Sequence, residues 1–102
     1  MIRHTVVFKL KHEAGSENEI IFLRAAQKLV EIPSVNNFEC LRQVSEKNKY
    51  DFGLSMEFTS QEGYQAYNEH PDHLQFVETR WIPEVAEFME IDYVRYSESQ
   101  KG

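Results

Sequence analysis

A stretch of strict alternation at residues 50–59 constrains the fold more than any other part of the chain. Large apolar side chains recur there at every second position: Tyr50, Phe52, Leu54, Met56 and Phe58. Side chains on a β-strand point alternately to opposite faces, so this pattern predicts a strand with one face in a core. A chain of 102 residues is expected to fold as one domain around that core.

Three further strands are predicted from weaker patterns. The first occupies residues 2–11, where Ile2, His4, Val6, Phe8 and Leu10 share one face. A less regular strand is predicted at residues 36–45 and a last one at residues 88–96, with Met89, Ile91 and Tyr93 on one side. The polar link at residues 46–49 is short, so the second and third strands are expected to form an antiparallel hairpin.

Helices are predicted between these strands. Ser16 and Glu19 have the spacing of a capping box, and the helix they begin should end before Pro33. A second capping box at residues 59–62 begins a short helix. Pro71 is expected to begin another, because proline fits the first turn of a helix, and Pro83 is expected to end it.

The element order predicts an α+β, ferredoxin-like β-α-β-β-α(α)-β fold, an antiparallel sheet with helices on one face. We expect a single domain over residues 1–97 and a flexible tail over residues 98–102. The uncovered face should carry Val7, Leu41 and one side of the last strand. A partly apolar face of this kind is often covered by a second subunit, so a homodimer is expected.

The charge of the chain argues against two classes of partner. It has 11 basic and 17 acidic residues, and a net charge of −6 disfavours nucleic acid and anionic membranes. No apolar run approaches the roughly 20 residues that a membrane-spanning helix needs. Cys40 is the only cysteine, which rules out an intrachain disulfide and a thiolate zinc site. With no signal-peptide pattern at the N-terminus, a cytoplasmic protein is expected.

A tyrosine and two histidines crowd the segment Tyr67-Asn68-Glu69-His70-Pro71-Asp72-His73. If Pro71 begins a helix, His70 lies at its cap and His73 projects from its first turn. The positive end of the helix dipole disfavours a charged imidazole, so His73 is expected to be neutral and able to accept a proton. Tyr67 is placed to hydrogen-bond a substrate carbonyl or a developing enolate.

Two segments resemble the stress-responsive α/β-barrel (Dabb) domain family: the opening Ile2-Arg3-His4-Thr5-Val6-Val7-Phe8-Lys9, and Ala66-Tyr67-Asn68-Glu69-His70-Pro71-Asp72-His73 with Phe76-Val77. The resemblance runs from about Ile2 to Tyr93 and implies a dimeric α+β barrel. Its best understood relative, the plant polyketide cyclase that makes olivetolic acid, performs an aldol cyclisation. The resemblance aligns that enzyme's catalytic histidine with His73 and its supporting tyrosine with Tyr67.

The same resemblance aligns a first-strand histidine with His4. A further tyrosine of the cyclase falls at Ala26, so the substrate of the cyclase does not transfer to this chain. By strand parity His4 faces the helices, where His73 also lies. Substrate-binding residues are therefore predicted around an apolar pocket: His4, Phe22, Leu54, Phe76 and Trp81.

Each of these residues also has a structural interpretation. His73 and His4 can be packed, hydrogen-bonded histidines, and Tyr67 can be a core aromatic residue. A metal site from His70 and His73 would need a third ligand such as His4 or Glu69, and no established zinc spacing is present. We predict neither a metal nor a cofactor.

Two functions follow from the sequence. The first is a cofactor-independent cyclase, lyase or isomerase that acts on a compact apolar or phenolic carbonyl compound through His73 and Tyr67. The second is a non-enzymatic, stress-related dimer that binds a ligand or only assembles, for which the cavity should be filled by side chains. Other dimeric barrels include monooxygenases and haem-binding proteins, but no feature of the sequence favours either.

Overall fold

The computed structural model describes residues 1–97, in which the strictly alternating segment forms an inner strand of a four-stranded sheet. The predicted tail at residues 98–102 lies outside this range. The strands lie in the order β2-β3-β1-β4, and each neighbouring pair is antiparallel. Their bounds are Ile2–Leu10 for β1, Asn36–Arg42 for β2, Phe52–Phe58 for β3 and Val85–Tyr93 for β4.

The helices follow the predicted order. Between β1 and β2 lie helix α1 (Glu17–Gln27) and a 3-10 turn (Lys28–Glu31). Between β3 and β4 lie, in chain order, α2 (Gln61–Glu69), α3 (Pro71–Phe76), a π-helical turn (Val77–Trp81) and α4 (Ile82–Glu84). This is the ferredoxin-like α+β arrangement that the sequence predicts, with all helices on one face of the sheet.

The core lies between the sheet and the helices. Alternate residues of β1 and β3 point into it, as their period of two requires. Burying each large apolar side chain contributes about 1.5–3 kcal/mol. The buried apolar set is Val6, Phe8, Leu10, Phe22, Ala26, Leu29, Ile32, Phe52, Leu54, Met56, Phe58, Tyr67, Phe76 and Val85.

The capping box predicted for α1 forms one of its two expected hydrogen bonds. The Ser16 hydroxyl accepts the Glu19 N–H at 3.3 Å. The Glu19 carboxylate, however, accepts the N–H of Gly15 at 3.2 Å and not that of Ser16. Gly15 has a φ of 77°, a backbone conformation that glycine adopts without steric cost.

Some element boundaries differ from the predictions. Helix α2 is capped by Ser60, whose hydroxyl accepts the Gly63 N–H at 3.2 Å, and not by Thr59. Two adjacent hydroxyl residues make the cap ambiguous in the sequence. The helical run that begins at Pro71 continues without a break through Pro83 and ends one residue later, at Glu84. As a result β4 begins at Val85 and ends at Tyr93.

The opposite face of the sheet is partly apolar, as expected. A row of paired residues crosses it from Leu41 through Gly53 and Val7 to Met89. Leu41 and Met89 are 44% and 46% exposed. Within residues 1–97, no helix combines the length and the apolar character that crossing a membrane requires.

Candidate functional site

A cavity of about 580 Å³ lies between the helix-facing side of β1 and β4 and the segment from α3 to α4. Polar groups and aromatic rings share its wall. The lining residues are His4, Val6, Tyr64, Asn68, His73, Phe76, Val77, Trp81, Ile82, Val85, Phe88 and Glu90. The cavity therefore combines groups that can transfer protons with an apolar surface for a ligand.

The local sequence explains how His73 reaches this wall. Pro71 occupies the start of α3, and His70 is the N-cap, with its Nδ1 atom accepting the Asp72 N–H at 3.1 Å. The structure thus gives His70 the capping position that was predicted for it. His73 follows in the same helix and lines the cavity.

The protonation state of His73 follows from its hydrogen bond. Its Nδ1 atom lies 3.1 Å from the Asn68 carbonyl oxygen. A carbonyl oxygen only accepts, so Nδ1 carries the proton and Nε2 is the acceptor of the neutral ring. The pKa of His73 is lowered, chiefly by burial and further by His4 and His70, although Asn68 and Glu90 oppose the change. Burial is the largest cause of this lowered pKa, which favours the neutral form that was expected.

Tyr67 lies behind His73 and does not line the cavity. It is 3% exposed, and its ring centroid lies 4.3 Å from that of His73. Among residues 1–97 its hydroxyl makes no hydrogen bond, and it is not fully buried, because Ser34 Oγ is the only fully buried side-chain oxygen or nitrogen there without a partner. Burial, reinforced by the charge of Glu90, raises the pKa of Tyr67, so the phenol keeps its proton. Tyr67 can hold the ring of His73 and donate one hydrogen bond.

His4 belongs to a network that the sequence analysis did not find. Its Nδ1 atom lies 2.6 Å from Asp92 Oδ1 and 2.8 Å from the Tyr64 hydroxyl. That hydroxyl also donates to Asp92 Oδ2 at 2.9 Å, which uses its single proton. His4 Nδ1–H therefore donates to Asp92.

The register of β4 explains why Asp92 reaches His4. The two residues are directly paired across β1 and β4, and both point to the helix side. An acidic residue on the inward side of the last strand is the sequence signal that could have identified Asp92. Tyr64 comes from α2, and its pKa is raised by burial and by the adjacent Asp92.

The predicted binding residues divide into two groups. His4, Phe76 and Trp81 line the cavity. Phe22 and Leu54 do not: both are buried in the core, at 0% and 3% exposure. Phe22 lies behind the wall, 5.5 Å from the ring of Phe76, while Leu54 is on β3, one strand further from the cavity. Parity alone shows which face a side chain occupies but not its distance from the cavity.

The possible metal ligands are not grouped as such a site requires. Among residues 1–97, no three His, Cys, Asp or Glu side chains form a group that could hold a metal ion. His70 Nδ1 already accepts the Asp72 N–H, and His73 Nδ1 donates to Asn68. The imidazoles at this site are thus held by hydrogen bonds within the protein.

A family model described as Stress responsive A/B Barrel Domain matches residues 2–95. No curated protein matches the chain. A Dabb family protein of Mesorhizobium loti with a ferredoxin-like fold is 56% identical, with a TM-score of 0.93. The match covers 94% of this chain and 97% of that one.

More distant solved structures share the fold. A dimeric ferredoxin-like protein of unknown function from Thermobifida fusca is 23% identical, with a TM-score of 0.77 and coverage of 92% and 90% of the two chains. The hydroxynitrile lyase of Passiflora edulis is 14% identical, with a TM-score of 0.81 and coverage of 98% and 96%. At these identities the likeness establishes the fold alone.

Proposed function

The chain belongs to the stress-responsive A/B barrel (Dabb) domain family, and on this basis we propose that it is a homodimer with an acid/base site in each subunit. The site acts on a compact apolar or phenolic carbonyl compound. The class of reaction is a cofactor-independent cyclisation, isomerisation or lyase-type step, with His73 as the base.

One observation carries this proposal: the hydrogen bond from His73 Nδ1 to Asn68 O, made by a histidine that lines the cavity. It leaves Nε2 as the proton acceptor, and burial keeps the ring neutral near pH 7 by lowering its pKa. A neutral imidazole with a fixed tautomer at the wall of a cavity is what a general base requires.

The first chemical step would be proton removal. His73 Nε2 takes a proton from the carbon next to a carbonyl group, and the electron pair of the broken C–H bond forms an enolate. The enolate oxygen accepts a hydrogen bond from the Tyr67 hydroxyl. This requires a ligand that reaches past the edge of the His73 ring, because Tyr67 packs against that ring and does not line the cavity. The enolate then attacks a second carbonyl carbon or is reprotonated. In a lyase step the same base takes a hydroxyl proton, and the oxygen forms a carbonyl group as the adjacent C–C bond breaks. The leaving carbon takes the electron pair of that bond and then the proton from His73.

The dimensions and wall of the cavity fit a compact aromatic ligand. A volume of about 580 Å³ falls within the roughly 300–1,000 Å³ typical of small-molecule sites. Phe76, Trp81 and Phe88 supply aromatic surface on one side. The alternative, a dimer without enzymatic activity, predicts a cavity closed by side chains. The open cavity favours a bound ligand, and turnover distinguishes an enzyme from a binding protein.

The homodimer is proposed to form through the outer face of the sheet. That face presents the apolar row containing Val7, Leu41 and Met89, with Ile91 and Tyr93 beside it on β4. Burying an exposed apolar row against its own copy gives a closed, two-fold interface. The protein from Thermobifida fusca, which shares the fold, is described as dimeric, and this supports a dimer but does not identify the interface.

Proton exchange provides a test that does not require the natural substrate. Acetophenone in D2O would be incubated with the protein, and loss of its methyl proton signal followed by NMR. We expect catalysed exchange that falls about 100-fold or more in His73→Gln. His12→Gln serves as the control, because His12 pairs with Glu84 and does not line the cavity. Equal exchange by His73→Gln and the wild type, or none by the wild type, would refute the role of His73.

A further inference from the structure

Glu90 occupies a position that the core does not explain. It pairs with Val6 in the middle of β4 and points to the helix-facing side of the sheet, where apolar residues normally lie. Its side chain lines the cavity and forms no hydrogen bond or ion pair with another residue in the 1–97 range. Glu90 is also exposed, so water hydrates its carboxylate in the cavity, and a ligand with a donor group can replace that water.

The cavity wall has a negative charge that no lysine or arginine balances. None of its lining residues is a lysine or an arginine, so Glu90 has no counter-charge there. Asp92, the next acidic residue on the same side of β4, is already used by His4 and Tyr64. The charge of Glu90 also raises the pKa of Tyr64 and Tyr67 and acts in the same direction on His73. A ligand therefore meets a negative field and no cation.

We infer that Glu90 determines which ligands the cavity accepts. Its carboxylate accepts a hydrogen bond from a hydroxyl or amino group on a neutral or cationic aromatic compound, and it repels compounds that carry a carboxylate. The aromatic ring of the ligand lies against Phe76, Trp81 and Phe88, and its carbonyl group faces His73. The orientation of the carbonyl group rests on the proposed function, whereas the selectivity for charge and for a donor does not.

Three matched probes test this inference: acetophenone, 4-hydroxyacetophenone and 4-acetylbenzoate. Their dissociation constants would be measured by calorimetry at slightly acidic to neutral pH, where the phenol is neutral. For the wild type we expect the hydroxyl compound to bind about 10-fold more tightly than acetophenone, because its bond to a carboxylate is charge-assisted. The benzoate should bind at least about 10-fold more weakly than acetophenone.

Two variants of Glu90 separate the repulsion of the benzoate from the preference for the hydroxyl compound. Glu90→Gln removes the charge and keeps an acceptor, so the penalty against the benzoate should disappear. Glu90→Leu removes both, and the preference for the hydroxyl compound should disappear as well. Glu87→Gln is the control: it removes the same charge from the same strand, but Glu87 pairs with Lys49 and does not line the cavity.

Three results would overturn the inference: a hydroxyl preference that persists in Glu90→Leu, equal wild-type affinity for the benzoate and acetophenone, or no binding of any probe. Measuring the same affinities with His73→Gln distinguishes this inference from the proposed function. If that variant keeps the selectivity and the wild type shows no proton exchange, the catalytic proposal fails and the role of Glu90 stands.

Discussion

The Asn68 carbonyl oxygen accepts a hydrogen bond from His73 Nδ1 across the junction of two helices. Asn68 lies in the last turn of α2, where carbonyl groups have no partner within the helix. His70 and Pro71 end one helix and begin the next, which brings the side chain of His73 back to this free carbonyl. This short motif therefore fixes both the position of His73 and the tautomer of its ring.

The first prediction concerns the titration of His73. Its NMR midpoint should lie below the ordinary histidine value of about 6.5, with the proton on Nδ1 in the neutral form. Because burial lowers the pKa in the folded state, the unfolded chain binds more protons just below pH 6.5. Stability from this group is full above about pH 6.5 and declines as the pH falls below it.

The groups that face His73 decide this result. Asn68 and Glu90 stabilise its charged form, while burial, His4 and His70 disfavour it. Long-range proton–nitrogen NMR correlations report both the midpoint and the tautomer, and urea unfolding at several pH values reports stability. A midpoint above 6.5, or a proton on Nε2, would contradict the assignment of His73 as a neutral base.

The second prediction separates the hydroxyl of Tyr67 from its ring. Tyr67→Phe keeps the ring contact with His73 and removes a hydroxyl that makes no hydrogen bond among residues 1–97, so the free energy of unfolding should change by less than about 1 kcal/mol. Proton exchange on acetophenone should fall about 10- to 1,000-fold if the hydroxyl binds the enolate. Tyr67→Ala should instead cost about 3–5 kcal/mol, measured by urea unfolding. Full exchange activity in Tyr67→Phe would restrict Tyr67 to packing.

The third prediction concerns the network around His4. Asp92→Asn weakens two hydrogen bonds, those from His4 and Tyr64, whereas Tyr64→Phe removes the Tyr64 hydroxyl and keeps the bond from His4 to Asp92. Asp92 is partly exposed, so we expect a loss of about 1 kcal/mol in the free energy of unfolding for Asp92→Asn and less for Tyr64→Phe. The His4 NMR signals should shift in both variants. A larger loss for Tyr64→Phe would show that the Tyr64 hydroxyl, and not the Asp92 carboxylate, contributes most to this network.

The order and type of the elements could be predicted because each has a local signal. Period-two alternation marked β1 and β3, and proline and hydroxyl residues marked the helix ends. The π-helical turn at Val77–Trp81 and the early start of β4 could not be predicted, since they depend on how the chain after α3 packs on the sheet.

The site could likewise be predicted only where its residues have a local signal in the sequence. His73 and His70 follow from Pro71, and His4 follows from strand parity. Tyr64, Asp92 and Glu90 depend on the register between β1 and β4 and on the packing of α2, which pair residues about 28 to 88 positions apart. A single sequence contains no direct signal of such long-range pairing.

The fourth prediction tests the cap of α2. Ser60→Ala removes the acceptor of the Gly63 N–H and should cost about 1 kcal/mol of stability. Thr59→Ala is the matched control, because the adjacent hydroxyl does not cap the helix, and its effect should be below about 0.5 kcal/mol. Urea unfolding measures both. The opposite ranking of the two variants would restore Thr59 as the cap.

The fifth prediction concerns the proposed dimer face. Met89 is 46% exposed in the single subunit, so Met89→Lys should fold normally. In a two-fold interface each substitution appears twice, and two lysines would lose apolar burial and repel each other. We expect the variant to be monomeric at concentrations where the wild type is dimeric, measured by sedimentation equilibrium.

Val30→Lys is the control, since Val30 is 53% exposed and lies in the 3-10 turn on the helix side. Dissociation by Val30→Lys but not by Met89→Lys would place the interface on the helices, and the apolar row of the sheet would then need another partner.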